Sequence, residues 1–363
     1  MVSSQEMVKV ALIGCGAVSQ KYYAPALQAL EKSRLLQVKV LYDPNEDSLA
    51  HLLQNFPEAC CVRDLSQISA LGIDLAIIAS PPRYHARQAL ELLRTGIAVL
   101  CEKPIAGTVA EAQAMIETAA KTSTVLAVGL FRRFFPATQA IHKILSGQIL
   151  GEIESFDFSE GGYFRWPVKS PAYFKKDTSQ GGVLMDIGVH LLDLMQWWFG
   201  EPAEIFYADD AMGGVEVNCW LHCKFAQGFT GKIRLSRDCQ LPNRYLIRCS
   251  KGWIMWEVNN AGTIKLGFTG AQLALKSKIY QTNPGKPDLT ADKPCYNFEQ
   301  SFASQIINVV DALQGKQSLL VPAEEGIKSL KLIEYCYQHR HLMHTPWLNE
   351  RELITARLLN QQS

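Results

Sequence analysis

Asp186 and His190 stand four residues apart in an apolar stretch that opens on Gly181-Gly182. On a helix that spacing puts both side chains on one face, within reach of a common ligand. Oxidation of an alcohol by hydride transfer needs one group to take the hydroxyl proton and another to stabilise charge developing on the oxygen. A histidine, with an ordinary pKa of about 6.5, suits the first task. A carboxylate beside it can orient the imidazole, stabilise its charged form or bind a neighbouring hydroxyl. Lys103, in Glu102-Lys103-Pro104, ends an expected parallel strand, where ligands of open α/β sheets lie. Its ammonium could polarise the reacting oxygen. Taken singly, each residue also has a plainer reading: His190 as a satisfied core histidine, Asp186 as a cap after the glycines, Lys103 as a surface lysine. Asp193 extends the Asp186–His190 row, yet three ligands on one helix make a poor cage, and no metal is expected. His339, His341 and His344 read as a solvated helix end.

A second cluster points to a phosphate ligand. Gly14-Cys15-Gly16-Ala17-Val18-Ser19 lies between an expected strand at 8–13 and an expected helix at 18–30. Gly14 suits a tight turn, and Gly16 lets a pyrophosphate approach the backbone. The N–H groups of the helix start, at Ala17 and Val18, then face the anion. Asp43 closes the second strand, where a carboxylate accepts ribose hydroxyls and repels a 2′-phosphate. NAD is therefore expected over NADP. The separation from the glycines exceeds the usual ~20 residues, which an insertion at 31–37 explains. Asp43 could instead only initiate a turn before Pro44.

The elements that must position these residues alternate in period. Strands are expected at 8–13, 38–42, 74–79, 98–101 and 125–128, with helices at 18–30, 47–55, 84–95 and 109–121, the pattern of βαβ units. After Pro136 come a helix at 138–146, a strand at 153–160, an apolar helix at 183–199, and alternating segments at 203–208, 215–225, 229–237 and 244–258 that read as antiparallel strands. A Pro-rich loop at 283–297 precedes helices at 298–313 and 323–339. The expected architecture is α/β: a doubly wound Rossmann domain at 1–134, then an α+β substrate and oligomerisation domain at 135–363 with a large, mainly antiparallel open-faced sheet.

Composition fits. With 48% hydrophobic residues and a net charge of +1, the chain can bury a sizeable core and lacks the basic footprint of a nucleic-acid binder. No apolar run approaches the ~20 residues of a membrane span, and the first ten residues do not read as an export signal. The ten cysteines form no CxxC pair; Cys15, Cys101, Cys219, Cys223 and Cys249 sit in apolar runs, as expected of buried, reduced thiols in a cytoplasmic protein.

Four segments in order resemble the Gfo/Idh/MocA oxidoreductases, which act mostly on sugars, cyclitols and their derivatives. They are the glycine turn, Ser80-Pro81-Pro82-Arg83-Tyr84-His85, Glu102-Lys103-Pro104, and Gly181 to His190; Val128-Gly129 with Arg133-Phe134 is a weaker fifth. The resemblance implies an NAD-dependent dehydrogenase acting on a secondary alcohol of a sugar or polyol. It implies catalytic roles for Lys103, Asp186 and His190, and cofactor contacts from Ser80, Pro81, His85, Glu102 and Lys103 beside Gly14, Gly16, Ala17, Val18 and Asp43. Arg133, Tyr163 and Trp166, with Arg165, Lys169 and Tyr173 nearby, are candidate substrate contacts, and a homodimer or homotetramer is implied by analogy. A ligand sensor of the same fold and an NAD-dependent glycosidase working through transient oxidation are the alternatives.

Overall fold

The computed structural model describes residues 7–165, 180–271, 273–279 and 298–361. Trp166, Lys169, Tyr173 and the 283–297 loop lie outside the described residues.

The chain forms two compact units, Met1–Phe131 with Glu299–Leu330, and Arg132–Phe298 with Lys331–Ser363. In the first, six parallel strands take the order β3-β2-β1-β4-β5-β6, with β1 Val8–Ile13, β2 Leu36–Tyr42, β3 Cys60–Cys61, β4 Leu75–Ile78, β5 Ala98–Cys101 and β6 Leu126–Val128. Every residue of β4 and β5 is buried, as befits central strands covered on both faces. The order reverses between β1 and β4, the switch point where open α/β sheets bind ligands. Helices return the chain between strands. The one at Val109–Thr122 starts on a reciprocal cap between Thr108 and Glu111.

The single boundary expected at 134/135 differs from this division. The helix Gln300–Leu313, expected with the second domain, belongs to the first unit. Phe302 stacks on Tyr22 and Phe131 at 4.9 Å each, and Gln305 donates to the Tyr23 hydroxyl. Aromatic contacts that sequence order cannot show make the assignment.

The second unit holds a nine-stranded sheet in the order β14-β13-β12-β11-β7-β10-β9-β8-β15. Its strands are β7 Ile153–Gly161, β8 Glu204–Asp209, β9 Asn218–Lys224, β10 Thr230–Ser236, β11 Arg244–Cys249, β12 Gly252–Glu257, β13 Thr263–Phe268, β14 Leu273–Lys278 and β15 Arg340–Leu342. Pairing is antiparallel except for β7 with β10 and β8 with β15. The segment expected as one strand at 244–258 is a hairpin, turning at Ser250-Lys251. One face of the sheet buries an aromatic core in which Phe156, Phe158 and Tyr245 meet Trp198 and Phe199 of the helix Val189–Phe199. That packing anchors the helix that carries His190.

Cys15, Cys101, Cys219, Cys223 and Cys249 are buried as expected, whereas Cys60, Cys61 and Cys239 are exposed. No described helix is long and apolar enough to cross a membrane.

Candidate functional site

In the first unit the site is built on the carboxyl ends of β1, β2, β4 and β5. Gly14 has φ +88°, and a Cβ there would lie 2.5 Å from the Ser80 nitrogen, so both backbone conformation and the approach of the β4 end demand glycine. A Cβ on Gly16 would meet nothing within 4 Å, which leaves the backbone of the turn open to a ligand. Ser19, in the third motif position, is buried and donates its hydroxyl to the Gly14 carbonyl at 2.5 Å. The helix begins at Ala17 and runs through a π turn at Ser19–Tyr23 into Ala24–Lys32, in place of the uniform helix expected.

Asp43 organises this turn. Its Oδ2 accepts from the Cys15 backbone N–H at 2.7 Å and its Oδ1 from that of Asn45 at 2.8 Å. The turn-initiating reading thus holds for Asn45, while the bond to Cys15 ties the β2 end to the glycine loop. A carboxylate offers about four acceptor sites, so capacity remains for ribose hydroxyls.

His85 is a brace. It is buried, with Nδ1 2.8 Å from the Pro104 carbonyl and Nε2 2.8 Å from the Ser80 carbonyl. Burial lowers its pKa against the opposing pull of the two carbonyls. Both ring nitrogens lie against backbone carbonyls, to one of which a neutral imidazole donates, so His85 braces the loops bearing Ser80 and Pro104. The Ser80 hydroxyl donates to Gln88 at 2.6 Å, and Pro81 precedes the short 3-10 turn Pro82–Tyr84. The Lys103–Pro104 peptide is cis.

Glu102 also turns inward. Its Oε1 accepts from the Tyr23 hydroxyl at 2.7 Å, and its Oε2 from the Lys103 backbone N–H at 3.0 Å. Burial raises its pKa. Glu102 and Lys103 follow the end of β5 at Cys101, so Lys103 stands at the carboxyl end of the sheet with Glu102 beside it. Glu102 is a buried support beside Lys103. Tyr23, its buried partner, and Gln305, which donates to the Tyr23 hydroxyl, carried no motif signal.

In the second unit, the expected helix 183–199 divides into a π turn at Leu184–Gly188 and the α-helix Val189–Phe199. Such insertions recur at functional sites. His190, 5% exposed, lies in the first α turn. Asp186 lies in the π turn and pairs with Arg237, which follows β10. Arg237 was invisible to motif reading because it comes from a strand end some fifty residues on. Its guanidinium lies 5.5 Å from the Phe164 ring, and the Phe164 N–H donates to the Arg237 carbonyl at 2.9 Å. Tyr163, 64% exposed, and Arg165 flank Phe164, so the segment expected to touch substrate runs beside the Asp186 partner.

Asp193 faces elsewhere. Its carboxylate accepts from Arg133 Nε at 3.0 Å through both oxygens, and from Nη2 at 2.6 Å. Both side chains are at most 2% exposed. Arg133, expected as a substrate contact, is thus corrected to a buried structural cation, because its guanidinium is held inside by Asp193. Neighbouring Arg132 is buried likewise, bidentate on Glu160 and bonded to Tyr245. Among the described residues no three of His, Cys, Asp and Glu are grouped as a metal would require.

Two family descriptions match in chain order. Residues 8–130 match the oxidoreductase family with an NAD-binding Rossmann fold, and residues 138–255 match the GFO/IDH/MocA C-terminal domain. The chain is 31% identical over 207 residues to D-glucoside 3-dehydrogenase of Escherichia coli K12, covering 54% of this chain and 55% of that protein. It is 25% identical over 350 residues to scyllo-inositol 2-dehydrogenase (NADP(+)) IolW of Bacillus subtilis 168, covering 91% and 92%. In fold it resembles a levoglucosan dehydrogenase solved with NADH and levoglucosan, with a TM-score of 0.80 at 19% identity over 92% of this chain and 96% of that one. Because both successive domains match descriptions of one family, each in its expected place, the chain belongs to the Gfo/Idh/MocA oxidoreductases.

Proposed function

We propose that the protein catalyses reversible oxidation of a secondary alcohol on a sugar or cyclitol, with NAD(H) as the redox partner. The observation that carries this reading is the glycine turn at the sheet's switch point, open at Gly16 and tied through Cys15 to the Asp43 carboxylate. Backbone N–H groups of Ala17 and Val18 suit the pyrophosphate, and Asp43 suits an unphosphorylated ribose. NAD, when bound, accepts or supplies the hydride. The names of D-glucoside 3-dehydrogenase and scyllo-inositol 2-dehydrogenase support a ring hydroxyl as the substrate group.

His190 takes the hydroxyl proton in oxidation and returns it in reduction. Asp186, with its charge shared by Arg237, orients the imidazole or a neighbouring substrate hydroxyl. Lys103 stabilises negative charge on the reacting oxygen. Tyr163 offers an exposed aromatic plane suited to packing on a sugar ring.

The test is formation of NADH at 340 nm with scyllo-inositol, myo-inositol, methyl glucosides and free aldoses, NADP being run alongside. Lys103→Ala and His190→Ala should each cost roughly 100-fold or more in turnover while NAD affinity stays within a few-fold. Binding of NAD and sugar with no turnover would identify a sensor. Near-parental turnover in both variants would remove these residues from the chemistry.

A further inference from the structure

The glycine pair that opens the His190 segment is filled from outside by two residues no motif includes. Glu216, 2% exposed, precedes β9. Its Oε1 accepts from the Leu184 N–H at 3.0 Å, the Gly182 N–H at 3.0 Å and the Tyr337 hydroxyl at 2.8 Å. Its Oε2 also accepts from the Gly182 N–H at 3.0 Å, and its backbone carbonyl accepts from the Val183 N–H at 2.9 Å. A Cβ on Gly182 would overlap the Glu216 carbonyl oxygen, and one on Gly181 would overlap the Tyr337 hydroxyl. Both glycines are therefore required by the close approach of Glu216 and Tyr337.

We propose that Glu216, held by Tyr337, is a positioning residue for the reaction. It fixes the origin of the π turn that carries Asp186 and leads into the first α turn, which carries His190, and the proposal rests on the reading of those two as the proton-handling pair. The first N–H groups of a helix lack intrahelical acceptors, and local Ser, Thr, Asp or Asn side chains ordinarily supply them. Here no such side chain caps the start. A distant carboxylate does the work, and the helix dipole favours negative charge there. The linkage to the site is short. Gly182 gives its N–H to Glu216, and its carbonyl accepts from the Asp186 N–H at 3.1 Å. Tyr337 is fixed in turn: the Arg340 guanidinium lies 4.8 Å from its ring and 3.3 Å from Asp209. Glu216 and Tyr337 touch neither substrate nor cofactor in this account. They decide where the turn begins.

The variants are Glu216→Met, which keeps shape but removes every side-chain acceptor, Glu216→Gln, which keeps Oε1, and Tyr337→Phe, which removes one donor. Two readouts are taken on the full chain. One is amide hydrogen exchange over residues 182–190, which needs no substrate. The other is kcat and KM with NAD and scyllo-inositol, or with a methyl glucoside if that is the alcohol the parent oxidises. For Glu216→Met, exchange of the segment should quicken at least 10-fold and kcat should fall on the order of 10- to 100-fold, as small misplacements of reacting groups do. KM should stay within about 3-fold. Glu216→Gln should restore kcat to within about 5-fold of the parent, since one good acceptor remains. Parental exchange in Glu216→Met overturns the brace. Faster exchange with parental kcat overturns the positioning role. Should Glu216→Met not fold, Tyr337→Phe decides by the same two readouts, with a several-fold change expected in each. His190→Asn is assayed in parallel, and full activity there would refute the underlying catalytic reading independently of the exchange data.

Discussion

Replacing Arg133 with methionine tests whether this arginine contacts substrate or holds the second unit together. The guanidinium makes three close contacts with Asp193, at 3.0, 3.0 and 2.6 Å, with both side chains at most 2% exposed. Methionine fills much of the volume but takes the guanidinium away from the buried Asp193 carboxylate. Breaking a buried pair on one side costs about 3–5 kcal/mol, mainly through the uncompensated charge. Loss of the guanidinium's contact with the Trp197 ring, 5.2 Å away, adds about 0.5–1 kcal/mol. At about 2–4 °C per kcal/mol for domains of 150–250 residues, Tm should drop by roughly 7–24 °C. Arg133→Met with Asp193→Leu removes both charges, and buried pairs replaced by apolar side chains come out near neutral or better. The double variant should therefore recover to within about 2 kcal/mol of the parent, a coupling of on the order of 3 kcal/mol. Urea unfolding followed by tryptophan fluorescence gives the stabilities, and steady-state kinetics on the folded double variant gives KM. A single variant as stable as the parent, with KM raised, would refute the structural assignment and restore Arg133 as a substrate contact.

Two further outcomes are expected. Burial pushes the Glu216 carboxyl up from its ordinary 4.5 to about 7, with Asp209 adding to the rise against the Tyr337 and Leu184 hydrogen bonds. The folded state therefore holds this proton more tightly than the unfolded chain. The resulting stability is complete below about pH 4.5 and is lost as pH climbs through about 7. Glu216→Gln cannot ionise, so its stability relative to the parent should grow by roughly 2–3 kcal/mol between pH 5 and pH 8; a constant difference in urea melts across that range would refute the shift. Asp43→Ser removes the carboxylate that accepts from Cys15 and is proposed to accept from ribose, so NADH should bind about 10-fold or more weakly while NADPH changes less, narrowing the gap between them. Fluorescence titration checks this, and tighter NADPH than NADH binding by the unmodified protein would overturn the NAD preference.

Much of the architecture was legible because local pattern and global fold agree. Continuous apolar runs at β4 and β5 and the period-2 alternation of β9 and β10 each mark one kind of sheet, and the four motif segments fall at strand ends or helix starts. The weaker segments lacked such a signal. Among them, β13 mixes Lys265 and Gly267 into its pattern, all but one of the residues of β14 are exposed, and β15 is three residues long. Pairing with neighbours, not propensity, makes these strands.

At the site, the sequence by itself determined which residues carry chemical capability: the glycine turn, Asp43, Lys103, Asp186 and His190 are read from type and spacing. Gly14 with Gly16 and Asp186 with His190 are read from short local spacings, Asp43 and Lys103 from their places after a strand, whereas the bond that ties Asp43 to the glycine turn spans 28 residues. Only the tertiary structure decided who holds them. His85 braces the loops at Ser80 and Pro104, Glu102 accepts from Tyr23, Arg133 goes to Asp193, Arg237 comes to Asp186, and Glu216 with Tyr337 anchors the glycine pair. Apart from His85 with Ser80 and Glu102 with the Lys103 N–H, these partnerships join residues at least nineteen positions apart. A buried charge or polar group must find a partner when the chain collapses, and which partner it finds is set by strand order and helix packing, which no local spacing encodes.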